Sequence, residues 1–120
     1  MAKDESTKSV SHCVFSLAGQ NFALMEGQGQ HGHRFSPAFS FIINCENQSE
    51  VDSYWQKLSE GGSEQQCGWL QDKYGLSWQV IPNILPELMS DAATSEKVMQ
   101  AMLKMKKLNI AELIHAAEGR

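Results

Sequence analysis

The first residues that could bind a ligand or take part in a reaction lie in a glycine-rich stretch near the amino terminus. Gly27 to Gly32 reads GQGQHG, which matches the G-x-G-x-x-G pattern of dinucleotide-binding loops. As in those loops, the stretch follows a predicted strand. That pattern holds a pyrophosphate only where a helix begins within it. Here the chain continues through Phe35 and Pro37 into another predicted strand. The stretch is therefore interpreted as a loop, and no nucleotide cofactor is predicted.

The histidines and one cysteine are the other candidates for chemistry. His31 and His33 could bind a metal ion, since imidazole is a good ligand, but no cysteine or carboxylate accompanies them at a ligand spacing. A solvent-exposed loop is the preferred interpretation. His12 and His115 have no visible partners, and nothing beside Cys67 would lower its pKa, so structural roles are favoured for all three. The sequence contains neither a nucleophile elbow nor a His-Glu-x-x-His motif.

Composition restricts the classes of protein to which the chain can belong. Its 120 residues, 42% of them hydrophobic, predict one domain with its own core. The net charge of −4 argues against nucleic acid as a partner, because phosphate neutralisation needs clustered lysine and arginine. No apolar run reaches the ~20 residues of a membrane helix. The three cysteines form no Cys-x-x-Cys pair, and the amino-terminal residues lack the apolar core of a signal peptide, which predicts reduced thiols and a cytoplasmic location.

The elements that must position these residues are predicted from periodicity and turn chemistry. In order they are a flexible tail over 1–9, a hairpin over 10–25, a strand over 38–45, a helix over 47–60, strands over 66–71 and 76–81, and a short helix over 86–89. Gly19 and Asn21 suit the hairpin turn because both tolerate positive φ. Asn47 or Ser49 caps the helix over 47–60.

The rest of the chain is predicted to be helical. Ser95 caps a helix over 96–107, whose methionines are interpreted as core or dimer-contact packing because thioethers fill irregular apolar gaps. Asn109 with Glu112 three residues later resembles a capping box. The helix that it begins ends at Gly119.

Three segments together carry a resemblance to a known family. They are FSFIINCENQSEVDSYWQKLSEGG, QCGWLQDKYGLSWQVIP and the tail VMQAMLKMKKLNIAELIHAAEG. They closely resemble the PhnB-like branch of the vicinal oxygen chelate superfamily, which also contains glyoxalase I, bleomycin-resistance proteins and extradiol dioxygenases. Some members carry a demethylubiquinone methyltransferase label. This chain shows no glycine-rich βα turn that could hold S-adenosylmethionine, so that label is discounted.

The resemblance implies an α+β fold built from βαβββ modules that curl around a cavity. A single domain over 10–120 is expected, with 10–37 as the remnant of a first module, 38–83 as the second module and 84–120 as carboxy-terminal helices. The opening strand and helix of the first module are missing. A two-stranded hairpin is marginal on its own, and an uncovered edge invites pairing, so a homodimer is predicted. The alternative is a monomer whose carboxy-terminal helices fold back over the sheet.

The resemblance also implies where a ligand would bind. Gln79 stands near a glutamate that binds metal in the relatives, and an amide is a poor replacement. The relatives' histidine falls near Phe39 to Phe41, where no imidazole exists. The pocket candidates are therefore Glu26, Phe41 and Gln79, and the only metal candidates, weak ones, are Glu26, His31 and His33.

Alternation along the strand places Trp78 on the face opposite Gln79. Because the resemblance implies that Gln79 faces the cavity, Trp78 is expected to pack under the helices. A metal-free, cofactor-free protein that binds a small molecule is the favoured function. The alternatives are a metal-dependent glyoxalase- or dioxygenase-like enzyme that uses Glu26 and a loop histidine, and a purely structural subunit.

Overall fold

The computed structural model describes residues 2–4, 9–25 and 34–119, and the chain divides into two compact units, Met1–His33 and Arg34–Arg120. The described strands form two hydrogen-bonded sheets, one in each unit. The single domain predicted over 10–120 stays a prediction. The α+β class is confirmed, since both sheets and helices are present.

The first unit is a three-stranded antiparallel sheet of order β1-β2-β3. Its strands are β1 (Ala2–Asp4), β2 (Ser9–Leu17) and β3 (Gln20–Met25). The hairpin turn is tighter than predicted, because Ala18 and Gly19 both have positive φ and allow Leu17 to pair directly with Gln20. Residues 2–4 pair with β2, where the sequence predicted a flexible tail.

The second unit contains a complete βαβββ module. Its elements are β4 (Ser40–Cys45), α1 (Gln48–Ser59), β5 (Ser63–Glu64), β6 (Trp69–Gln71) and β7 (Ser77–Pro82). The strand order is β4-β7-β6-β5, with β4 parallel to β7 and the other pairs antiparallel. The strand predicted over 66–71 is shorter than expected, since residues 66–68 form a turn instead.

Helix α1 lies against this sheet because its apolar residues recur at helical spacing. Of the two predicted caps, Asn47 is the one used: its Oδ1 accepts a hydrogen bond from the Glu50 backbone N–H at 2.9 Å. Val51 and Trp55 are buried with Cys45, Leu70 and Val80 in one core cluster.

Three helices complete the second unit: α2 (Leu85–Leu88), α3 (Ala92–Met102) and α4 (Ile110–Ala117). The predicted cap of α3 was wrong. The carboxylate of Asp91 accepts from the Ala93 N–H at 2.9 Å, and Ser95 lies inside the first turn. The helix also ends at Met102 instead of 107, because the backbone oxygens of Met105 and Lys106 accept hydrogen bonds from another segment.

The carboxy-terminal helices share a second core cluster, made by Leu85, Val98, Met102, Leu108 and Leu113. The predicted capping of α4 is confirmed, since Asn109 Oδ1 accepts from the Glu112 N–H at 3.0 Å. Within the described ranges, no helix has the length and apolar character needed to cross a bilayer.

Candidate ligand-binding face of the four-stranded sheet

The register of β4, β6 and β7 sorts their side chains onto two faces. Phe41 pairs with Trp78, which pairs with Leu70 on the other side, so all three share one face. Trp78 packs against the cluster that contains Val51 and is therefore on the α1 side. The sequence prediction that Trp78 packs under a helix is confirmed.

Trp78 is held on this side by a ring contact and a hydrogen bond. Its ring centroid lies 5.1 Å from that of Phe41, and its Nε1–H donates to Asp72 Oδ2 at 2.9 Å. Asp72 Oδ1 accepts from the backbone N–H groups of Tyr74 and Leu76, at 2.9 and 3.0 Å. Both oxygens of this carboxylate are thus engaged within the β6–β7 turn, and Asp72 is a structural residue.

The opposite side of the sheet is the candidate site, and we call it the Gln79 face. By register its members come from all four strands: Ser40, Ile42, Asn44, Ser63, Trp69, Gln71, Ser77, Gln79 and Ile81. Three of them, Ile42, Gln79 and Trp69, stand side by side on β4, β7 and β6. None of the nine side chains is ionisable.

Gln79 is fixed in orientation at the centre of this face. Its Nε2 donates to Ser40 Oγ at 3.0 Å, and the side chain is half-buried. Among the described residues nothing donates to its Oε1, so this oxygen is available as an acceptor. Phe41, the other described pocket candidate, lies on the α1 side. The structure therefore separates the two candidates instead of bringing them together.

Ser77 is a residue of this face that the sequence did not single out. It is fully buried, and its Oγ has no hydrogen-bond partner among the described residues. A buried hydroxyl without a partner is uncommon in folded proteins. Trp69 was likewise not named as a site residue, because its pairing with Gln79 depends on the exact start of β6. The alternation Ser77-Trp78-Gln79 was the available signal for Ser77.

The metal candidates Glu26, His31 and His33 lie outside the described residues. Within the ranges that the structure describes, no three histidine, cysteine, aspartate or glutamate side chains are grouped as a metal ion would need. The prediction that the protein binds no metal therefore stays a prediction.

Cys45 and Cys67 have structural roles, one in the core and one in a turn. All three cysteines are free. Cys45 is buried at the end of β4, and burial raises the pKa of its thiol, with a further contribution from the carboxylate of Glu50. Cys67 has a φ of 61° in the turn before β6, and its Sγ lies 3.6 Å from the backbone oxygen of Met102. Neither thiol has the features of a catalytic nucleophile.

Surface grooves occur elsewhere in the second unit. Two, of about 380 and 400 Å³, lie along α3 and α4 and share Ala101, Lys104 and Ala116. A third, of about 440 Å³, lies between the end of α1 and the turn at Asp72–Tyr74. None of these three grooves is lined by Phe41 or Gln79, so they do not extend the candidate site.

The family model and one of the solved structures that this chain resembles carry the same description. Residues 1–81 match a family model described as 3-demethylubiquinone-9 3-methyltransferase. A PhnB protein from Bacillus cereus with that same methyltransferase description is 34% identical over 59% of this chain, with a TM-score of 0.55. A Pseudomonas aeruginosa protein shares the fold at 16% identity, covering 68% of each chain, with a TM-score of 0.54. The match spans 63% of the Bacillus protein's length. No curated protein is similar enough to count as a match.

Proposed function

The chain belongs to the PhnB-like family described as 3-demethylubiquinone-9 3-methyltransferase, and on that premise we propose that it is a metal-free, homodimeric, small-molecule-binding protein. The ligand binds on the Gln79 face. The observation that carries this proposal is the hydrogen bond from Gln79 Nε2 to Ser40 Oγ, which holds a half-buried amide with its oxygen unspent. Gln79 is flanked across the strands by Ile42 and Trp69, and a fixed polar group beside apolar side chains is a usual feature of small-molecule sites.

Methyl transfer is not part of the proposal, despite the family description. S-adenosylmethionine sites on strand–helix folds use a glycine-rich turn in which the backbone approaches the ligand closely. The two strand-to-helix junctions of the described second unit, 46–47 and 83–84, contain no glycine. In the first junction the backbone N–H groups are already bound by local side chains. Asn47 Oδ1 accepts from the Glu50 N–H, and Glu50 Oε1 accepts from the Glu46 N–H at 2.8 Å.

Binding is tested by a fragment screen on wild-type protein and two glutamine variants. A ligand of the Gln79 face raises the unfolding temperature, because it binds only the folded state. Gln79→Ala removes the fixed amide and should weaken the affinity about tenfold, the equivalent of one hydrogen bond. Gln56→Ala, on the exposed side of α1, is the matched control and should leave the affinity unchanged. Equal loss in both variants would contradict the proposed site.

The metal-free part of the proposal rests on the chemistry of Gln79. A neutral amide binds divalent ions weakly compared with a carboxylate. After exposure to nickel, zinc, manganese or iron salts and thorough washing, the protein should retain far less than one ion per chain by elemental analysis. One tightly held ion per chain would overturn this, and Glu26→Ala would then be the first variant to measure.

The homodimer is supported by the apolar face of the first unit. Cys13, Phe15 and Leu17 of β2 share a face with Phe22 and Leu24 of β3. Phe15 and Phe22 stack with ring centroids 5.4 Å apart, yet 55% of Leu24 remains exposed. A small sheet with such a face gains stability when a second chain covers it.

We also propose a cytoplasmic location, because all three thiols are unpaired.

A further inference from the structure

We propose that the ligand of the Gln79 face is an uncharged, planar ring compound that stacks on Trp69 and donates a hydrogen bond to Gln79 Oε1. This inference rests on the proposed function and adds the chemical class of the ligand. It follows from three observations: the charge of the face, the position of the Trp69 indole and the unspent hydrogen-bonding groups.

The first observation is that the face carries no charge while the other side of the sheet does. The nine side chains of the Gln79 face are hydroxyls, amides, aliphatic groups and one indole. The acid of β5, Glu64, pairs with Leu70 and so lies on the α1 side. Asp72 accepts the Trp78 N–H on that side. A charged ligand would lose water on the Gln79 face without gaining a counter-charge there, and that loss is costly.

The second observation concerns the three tryptophans. Trp55 and Trp78 each donate Nε1–H to a carboxylate on the α1 side, to Glu64 at 3.0 Å and Asp72 at 2.9 Å. Trp69 lies on the other face, half-buried, and within the described part of the chain no carboxylate accepts its N–H. Its indole is therefore a flat surface that is not committed to the fold. Planar rings stack on such surfaces in offset or edge-to-face geometry.

The third observation is that unspent hydrogen-bonding groups lie next to this indole. Trp69 pairs directly with Gln79 across β6 and β7, and neighbouring strands are about 4.8 Å apart. A single six-membered ring that stacks on Trp69 can thus place a substituent over Gln79. There it meets the free Oε1 of Gln79 and the Ser40 hydroxyl. These groups fit an amide or hydroxyl substituent and offer nothing ionic.

The test uses three ring probes of matched size that differ in charge: benzamide, benzoate and benzylammonium. Each is titrated into the full-length protein, and NMR follows the Trp69 indole N–H and the Gln79 side-chain NH₂ resonances. Benzamide should shift both resonances, and the two charged probes should bind at least about tenfold more weakly because neither finds a counter-charge.

Variants separate stacking from general stability. Trp69→Phe keeps a flat ring and should retain benzamide binding, whereas Trp69→Leu should abolish it. Tyr74→Leu changes an exposed aromatic residue that is not on this face and should have no effect. Benzamide binding that survives Trp69→Leu would overturn the stacking.

Two further outcomes distinguish this inference from the proposed function. A charged probe that binds the same resonances as tightly as benzamide overturns the inference and leaves the binding face in place. No shift at either resonance with any of the three probes overturns both.

Discussion

At the scale of single residues, the three successive side chains of Ser77, Trp78 and Gln79 divide between structural and available groups. Trp78 has its ring against Phe41 and its N–H on Asp72, so its capacity for contacts is used by the fold. Gln79 donates one hydrogen bond, from its Nε2 to Ser40 Oγ. The hydroxyl of Ser77 is fully buried and makes no hydrogen bond to any described residue. Substitutions at these neighbouring positions of one strand are therefore expected to change the free energy of unfolding by very different amounts.

Trp78→Ala should destabilise the protein strongly, by about 3 kcal/mol, because it removes a ring from the α1 side of the sheet and strands the Asp72 carboxylate. Gln79→Ala should change the free energy of unfolding by about 1 kcal/mol at most, since it removes one hydrogen bond to Ser40. Urea denaturation of both variants measures the difference. Equal destabilisation would mean that β7 has no binding side.

Ser77→Ala should leave stability unchanged or raise it by about 1 kcal/mol, because a buried hydroxyl without a partner costs free energy that a methyl group does not. Ser40→Ala is the matched control and should be destabilising, since Ser40 Oγ accepts from Gln79. Thermal unfolding of the two variants checks the sign. A marked loss of stability in Ser77→Ala would show that its hydroxyl has a partner in solution.

The sequence was sufficient to assign Trp78 and Gln79 to opposite faces, because alternation along one strand needs only the strand itself. It was insufficient for Trp69 and Phe41. Their faces depend on how β4 and β6 are aligned with β7, and register across strands is fixed by tertiary packing. Phe41 was therefore grouped with Gln79 although the two are on opposite sides.

At the scale of elements, the connection between α3 and α4 is fastened to the module at two places. The backbone N–H groups of Cys67 and Gly68 donate to the oxygens of Met105 and Lys106, at 2.9 and 2.8 Å. The Gln48 side chain donates to the Leu108 oxygen at 3.0 Å and accepts from the Ile110 N–H at 2.8 Å. These long-range bonds explain why α3 ends early, which local helix propensity could not predict.

A salt bridge reinforces the second attachment. Lys107 Nζ lies 2.9 Å from Asp52 Oδ1 on α1. A hydrogen bond from Gln48 and then the contact with Lys107 hold the pKa of Asp52 below its ordinary value. Because this folded-state pKa is depressed, the stabilisation is fully present above the unfolded pKa of about 4 and is lost as the pH falls through the folded pKa.

Lys107→Gln should therefore lower the unfolding temperature slightly at neutral pH, and the difference from wild type should shrink as the pH falls through the depressed folded-state pKa of Asp52. Lys104→Gln changes the net charge equally, and Lys104 makes no ion pair with any described residue, so it should have less effect. Calorimetry between pH 7 and pH 3 checks both. A difference between the two variants that persists at the acidic end would contradict the assignment to Asp52.

At the scale of the whole molecule, the two units differ in how they bury apolar groups. All the buried core residues named for the two clusters belong to the unit Arg34–Arg120. In the first unit Val14, Leu17, Leu24 and Met25 are exposed. The hairpin and the module were both predictable from turn chemistry and periodicity. The pairing of residues 2–4 with β2 was not, because strand pairing depends on tertiary contacts that the local pattern does not contain.

Leu24→Glu should convert the proposed dimer into monomers, because it introduces a charge into the apolar face of β2 and β3. Ser16→Glu adds the same charge to the opposite face and should leave the dimer intact. Light scattering at low micromolar concentration measures the mass of each. A folded wild-type species at the 13.4 kDa chain mass would refute the dimer.

The parallel pairing of β4 with β7 has a consequence during synthesis on the ribosome. Strand β4, with the sequence SFIINC, bonds only to β7 within its sheet, and β7 follows α1, β5 and β6 along the chain. The nascent chain therefore carries an apolar strand with no partner until Pro82 has left the exit tunnel. Such segments are the ones that chaperones bind and that aggregate when translation stalls. Chains that terminate anywhere between Cys45 and Ser77 are expected to be insoluble.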